Sequence, residues 1–219
     1  NSTGNVKGID NYFSSPKTPT YAHSYLLTEV LSADYVDVTG DGVSDDDLGT
    51  YTKFNYTRLY SNGPATPYRW RVPFKENEAN YDQGLLADEK DDKGAYIYGE
   101  KEIWILHSIV TKNYIAEFNT SDREDALGVQ GENGGKGTTF QKLKQLDKIS
   151  LYAKCDRVDN KENAVPIKTV HFEYDPAYPL CPGIDNSTSD HGKLTLKKIY
   201  FTYGKSLKGK LSPYVFHYA

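Results

Sequence analysis

The run Asp37-Val38-Thr39-Gly40-Asp41-Gly42-Val43-Ser44-Asp45-Asp46-Asp47 sets oxygen-bearing groups at alternate positions around a glycine. Ca2+ takes six to eight hard oxygens at about 2.3–2.6 Å, and alternation around a sharp turn gathers them from a short stretch of chain. On that logic Asp37, Asp41 and Asp45 supply carboxylates, Thr39 a hydroxyl and Val43 its carbonyl, with Asp47 or Asp46 completing the shell. The helix-loop-helix form of such loops carries a bidentate Glu at its twelfth position, and Leu48 stands there instead. The competing interpretation is an acidic solvated turn. Asp122, Glu124 and Asp125, followed by the glycine-rich 128–137, suggest a second ion loop, against the plainer expectation of an exposed polar loop.

Other side chains offer weaker chemistry. Glu100 and Glu102 would share one face of a strand about 7 Å apart, near the carboxylate spacing of glycosidases. Nothing around them raises a pKa as a general acid requires, so alternating charge on a solvated strand explains them better. His23, His107, His171, His191 and His217 have no metal-ligand spacing, and His107 reads as an inward, satisfied imidazole. Ser187, Ser189, Asp190 and His191 match a hydrolase set in composition only, without a Gly-x-Ser-x-Gly elbow. The glycine-rich 131–137 lacks the Lys-Ser/Thr ending of a phosphate loop. Tyr96, Tyr98 and Trp104 form a candidate platform for a sugar ring, because such side chains join an apolar face to a polar tip; plain packing in a sheet competes with that role.

Stepping outward to what must position these groups, the pattern is one of strands. Thr52-Phe54-Tyr56, Tyr68-Trp70-Val72-Phe74 and Val170-Phe172-Tyr174 each alternate with polar or charged neighbours, the signature of half-buried strands. A long strand is predicted over 95–110, with Ile103, Ile105 and Ile109 facing one way. A hairpin then leads into 114–118, and further strands are expected at 149–153, 193–203 and 214–218. Phe140, Leu143 and Leu146 allow one short amphipathic helix, and 77–93 and 119–137 read as long loops. The expected fold is all-β: a β-sandwich of mainly antiparallel strands with long loops and at most one short helix, forming a single domain over 1–219.

The chain of 219 residues has a net charge of −4 with both signs interspersed, which argues against binding nucleic acid through phosphate neutralisation. No apolar run approaches a membrane span. The absence of Met, with Asn1 at the start, suggests a piece processed or excised from a longer chain. Cys155 and Cys181 are too few for a thiolate metal site; they either pair or remain free thiols.

The loop from Asp37 to Asp45 resembles the calcium loops of FG-GAP and VCBS-type repeats, whose D-x-(D/N/T)-G-D-G-x-x-D pattern accepts Thr at its third place. It occurs once here, so the resemblance implies ion binding and not a propeller. The phrases Lys53-Phe54-Asn55-Tyr56-Thr57, Tyr98-Gly99-Glu100-Lys101-Glu102-Ile103-Trp104 and Gly192-Lys193-Leu194-Thr195-Leu196-Lys197-Lys198-Ile199 are similar to segments of very large secreted or surface proteins of Bacteroidota. The last of these, continued through Lys210-Leu211-Ser212-Pro213-Tyr214, also resembles strands that precede Rhs or YD-repeat shells. These resemblances imply a secreted or cell-surface location and other domains of a parent protein, or a surface partner, as what it contacts. With no coherent catalytic set, the expected function is a non-catalytic, calcium-stabilised structural or interaction module. A carbohydrate-binding module is the alternative, and a glycan-cleaving enzyme stands third.

Overall fold

The computed structural model describes residues 16–59, 67–79, 94–137, 142–177, 179–188 and 191–218. They form an all-β chain of mainly antiparallel strands with long loops and one short α-helix. The strands are β1 (Glu29–Leu31), β2 (Tyr51–Arg58), β3 (Tyr68–Val72), β4 (Ile97–Lys101), β5 (Trp104–Thr111), β6 (Tyr114–Leu127), β7 (Lys142–Ala153), β8 (Lys168–Tyr174), β9 (Leu196–Thr202) and β10 (Tyr214–Val215). Helix α1 (Lys154–Asn160) follows β7 directly. There are two sheets, and they are very unequal. Eight strands join in the order β1-β2-β5-β6-β7-β8-β9-β10, while β3 and β4 pair alone.

Three local expectations are corrected. The segment 95–110 is two strands: β4 pairs with β3, whereas β5 pairs with β2, and Leu59 N–H bonds to the Ile103 carbonyl at the break. His107 accordingly lies on the surface instead of facing inward. Leu143 and Leu146 belong to β7, because pairing with β6 over Tyr114–Asp122 and again at Leu127 decides a pattern that periodicity left open; the helix forms one segment later. Phe140, Ser189 and Asp190 lie outside the described residues. Finally, β6 runs on through Asp122, Glu124 and Asp125, so these carboxylates stand on a strand and not in a loop.

Register defines the two faces of the large sheet. Phe54, Ile109, Ala116 and Leu151 are successive cross-strand partners, as are Phe118, Ile149, Val170 and Phe201, and then Phe172, Ile199 and Tyr214. Side chains of directly opposed residues share a face, so one side of the sheet is apolar. The opposite side carries the row Asn55, Ser108, Glu117, Ser150, Thr169, Thr202. Ser108, Ser150, Thr169 and Thr202 in that polar row are buried, with Thr169 donating to Ser150 Oγ at 3.3 Å, while the residues named on the apolar side are only partly buried, apart from the exposed Tyr214. The polar row is thus the better covered of the two. The tightest apolar packing lies elsewhere, where the small sheet meets the end of β6: Tyr68, Ala126, Leu127 and Val129 are buried there, and Val129 N–H bonds to the Arg69 carbonyl at 3.0 Å. In the small sheet Trp70 lies opposite Gly99, where a Cβ would come within 2.7 Å of the indole, so only glycine admits that ring.

Candidate cation-binding loop and the neighbouring carboxylates

The connection from β1 to β2 folds back on itself through the Val36–Leu48 bridge, which brings the acidic run into a compact turn at one end of the sheet. Gly40 and Gly42 take positive φ values of 73° and 90°, conformations that side chains with a Cβ rarely adopt. Their amides point at the first carboxylate: Gly40 N–H donates to Asp37 Oδ1 at 2.6 Å and Gly42 N–H to Asp37 Oδ2 at 3.1 Å. Thr39 Oγ1 donates to Asp41 Oδ1 at 2.7 Å, so Asp37, Thr39 and Asp41 occupy one exposed lip.

The inner part of the loop is held differently. Asp47 is buried and accepts from Tyr35 O–H at 2.6 Å, Ser44 N–H at 2.8 Å and Val38 N–H at 3.1 Å. The tyrosine hydrogen bond leads in holding its carboxyl below the usual carboxylate range, against the opposing effect of burial, and the same bond raises Tyr35. Three lysines arrive from outside the loop. Lys53 Nζ donates to the Val43 carbonyl at 3.2 Å, Lys112 Nζ to the Asp47 carbonyl, and Lys154 Nζ to Asp45. Tyr51 O–H reaches the same Asp45 oxygen at 2.6 Å, and Lys154 lowers the Asp45 pKa more than Tyr51 does.

Of the predicted ligands, Asp37, Thr39 and Asp41 therefore lie together, while Val43 and Asp45 have their oxygens against ammonium groups and Asp47 serves the interior of the turn. Among the described residues no three His, Cys, Asp or Glu side chains form a metal-holding group. The donor chemistry suits a hard cation: all oxygen, turned by glycines, with cationic nitrogen already set against the two inner atoms. An ion using the full predicted set has to compete with Lys53 and Lys154.

The carboxylates of β6 are each tied to a cation. Asp125 is buried and takes a bidentate pair from Arg123 at 2.9 and 2.7 Å, plus Leu194 N–H at 2.9 Å. Burial pushes its pKa up, but Arg123 and the backbone donor outweigh this and leave it lowered. Glu124 accepts from Thr188 Oγ1 and from Lys142 at 3.1 Å, and Asp122 from Lys144. The second acidic cluster thus holds Thr188 and Leu194 against β6. Ser187 is buried and its Oγ accepts His191 N–H at 3.1 Å, a side chain-to-backbone bond.

The remaining candidates separate. Glu100, on β4, pairs with Arg69, and Glu102, in the break between β4 and β5, with Arg58. Tyr98 stands on β4 and donates to Glu100 at 2.6 Å; burial first, then this bond, pushes its pKa up to about 12. Tyr96 donates to Glu132 at 3.0 Å and has the Arg71 guanidinium 4.5 Å from its ring centre. Trp104, 46% exposed, opens β5 in the large sheet. Tyr96, just before β4, and Tyr98, on it, therefore lie near one another, and Trp104 belongs to the other sheet. An open pocket of about 310 Å³ is lined by Lys75, Glu76, Lys136 and Asp185, and by none of them. Cys155 and Cys181 are exposed and unpaired.

Sequence reasoning missed Arg71, a buried cation that donates to the carbonyls of Glu132 at 2.8 Å, Lys75 at 3.2 Å, Glu78 at 2.6 Å and Pro73. Its polar neighbours are backbone atoms, which have no signature in side-chain spacing. No protein-family model matches the chain, and neither a curated protein nor a solved structure matches it.

Proposed function

We propose that the chain is a non-catalytic structural and interaction module of a larger extracellular protein, with the 37–47 loop as a calcium-stabilised clamp at one end of its sheet. The uneven coverage of the eight-stranded sheet carries this reading: Phe118, Phe172, Ile199 and Phe201 share the less covered face and are only partly buried. An apolar sheet face of that extent is suited to burial against a neighbouring domain. The carboxylates that would do acid–base chemistry are instead engaged in ion pairs, two of which, Arg69–Glu100 and Lys142–Glu124, join neighbouring strands. No helix among the described residues is long and apolar enough to cross a membrane.

The clamp would draw on Asp37, Thr39 and Asp41 first, with Asp45 and the Val43 carbonyl added as their lysines are displaced. Competition of this kind places affinity near the about 10⁻⁴–10⁻³ M of extracellular calcium modules. Exposure of Trp104 favours the carbohydrate-binding alternative as the second reading.

Two experiments test the proposal. Phe172→Thr in the isolated chain should cost under about 1.5 kcal/mol, against about 3–5 kcal/mol for truncating a fully buried aromatic. A cost in the higher range would make this face a closed core and remove the argument for a partner. A glycan array in calcium should show no saturable binding; retention of a sugar, lost in Trp104→Ala with the fold intact, would replace this reading with the carbohydrate-binding one.

A further inference from the structure

We propose that this chain associates with further copies of itself head to tail, the β10 edge of one copy adding to the β1 edge of the next so that two eight-stranded sheets become one. The inference goes beyond the clamp and the apolar face, and it rests on the geometry of the two edges.

Among the described residues both outer strands offer free backbone. Phe54 N–H bonds to the Thr28 carbonyl and Ser32 N–H to the Thr50 carbonyl, so even-numbered residues of β1 face β2. In an antiparallel ladder the alternate residues, Glu29 and Leu31, then direct N–H and C=O outward. At the other edge Phe216 N–H bonds to the Lys197 carbonyl and Tyr214 pairs with Ile199, which leaves the backbone of Val215 outward. Unpaired edges are templates for another strand unless charge, proline or brevity protects them. Here brevity and Pro213 blunt the β10 edge, yet the side chains around both edges are apolar and exposed: Val30 at 51% and Leu31 at 43%, Tyr214 at 66% and Val215 at 51%.

Direction and charge select the partner. Each neighbouring pair in the eight-stranded sheet is antiparallel, so β10 runs opposite to β1. A second copy laid beside the first in the same orientation therefore meets β10 with an antiparallel β1, and the apolar face continues through Tyr214 into Val30. By the same alternation β1 and β9 point the same way, so the β1–β2 connection and the β9–β10 connection lie at one end of the sheet. From residue 28 to 50 the chain carries Glu29, Asp34, Asp37, Asp41, Asp45, Asp46 and Asp47 and no Lys or Arg. From 191 to 218 it carries Lys193, Lys197, Lys198, Lys205, Lys208 and Lys210 and no Asp or Glu. Lys197 and Lys198 are paired with Asp175 and Glu173, whereas no ion pair among the described residues involves Lys205, Lys208 or Lys210. Head-to-tail packing sets these lysines beside the exposed Asp34, Asp37, Asp41 and Asp46 of the next copy. An antiparallel two-fold arrangement, β10 on β10 or β1 on β1, would carry the two like-charged connections to opposite ends of the joint sheet and bring no opposite charge to either. The heterologous contact leaves a free edge at each end and so propagates unless the twist closes a ring.

Sedimentation velocity on the whole chain tests this with two edge-blocked variants. Val215→Pro and Leu31→Pro each remove an outward N–H while leaving the inward ladder in place. The wild type should grow in mass with concentration, and the growth should recede with added salt. Each variant alone should remain monomeric. Mixed in equal amounts they should form a species of twice the monomer mass and no larger, because the pair retains one intact edge of each kind. A wild type that stays monomeric at its highest soluble concentration overturns the proposal, as does self-association of either variant at the wild-type level. Should a variant prove unfolded by circular dichroism, the wild-type mass and its salt response decide alone, with salt-insensitive association counting against the charge pairing.

Discussion

Lys154, the first residue of α1, reaches back across the sheet to donate its ammonium protons to both Asp45 and the hydroxyl of Tyr51, the latter at 2.9 Å. Residues 109 apart in the chain thus meet at one oxygen of the acidic loop. The lysine occupies the position where the predicted ion would draw on Asp45. A protein cation and a calcium ion are alternatives at that atom.

Replacing Lys154 with Met tests that competition. The pair is partly exposed, the Asp45 side chain at 63%, so its loss should cost no more than about 1 kcal/mol and the cost should shrink in salt. Calcium affinity, read by isothermal titration, should rise in the same variant because a competitor has gone. Unchanged affinity would show that Asp45 takes no part in holding the ion.

Asp125 should matter more. Asp125→Ala strips Arg123 of its bidentate acceptor and leaves Leu194 N–H without its carboxylate, an expected loss of about 2–3 kcal/mol in urea unfolding. Arg123 retains contact with water, which keeps the loss below that of a fully buried pair. Asp125, Asp45 and Glu124 all titrate below their ordinary values in the folded chain. Their contribution is present above the unfolded values of about 4 and is lost as pH falls through the lower folded ones. Acid should therefore lower the melting temperature below about pH 4, less steeply in Asp125→Ala.

A second pH response is expected from His171, which stacks on Tyr200 at 4.5 Å and shares a hydrogen bond of 2.8 Å with Thr202. Burial lowers its pKa, and Lys148 and Lys210 add repulsion that Glu173 opposes. Above about 6.5 both folded and unfolded chains hold it neutral, so its contribution is complete there; below that, the unfolded chain protonates first and stability declines through the folded pKa. Melting temperatures between about pH 7.5 and 5 should fall in the wild type and fall less in His171→Gln. Equal slopes would remove His171 from the account.

Strands were legible where alternation was local: 52–56, 68–72, 114–118 and 170–174 all fall within strands. The same rule could not divide 95–110, because the break depends on β4 and β5 choosing different partners, nor tell strand from helix at Leu143 and Leu146, where β6 decides. At the candidate site the turn was readable from Gly42 and the alternating Asp residues. Lys53, Lys112 and Lys154 were not, since each enters from a separate element and no spacing in the chain announces it. Asp125 looked like a loop ligand for a similar reason: its partner Arg123 is near in sequence, but its other donor, Leu194 N–H, comes from a distant part of the chain.

The most direct measurement of the central claim is a pair of thermal melts, one in millimolar calcium and one in chelator after removal of all metal. Binding confined to the folded state raises stability by mass action, so the calcium melt should lie higher, and Asp41→Ala should erase the difference while leaving the chelated melt nearly unchanged. Coincident wild-type melts, or a calcium shift that persists undiminished in Asp41→Ala, would contradict a calcium clamp at 37–47.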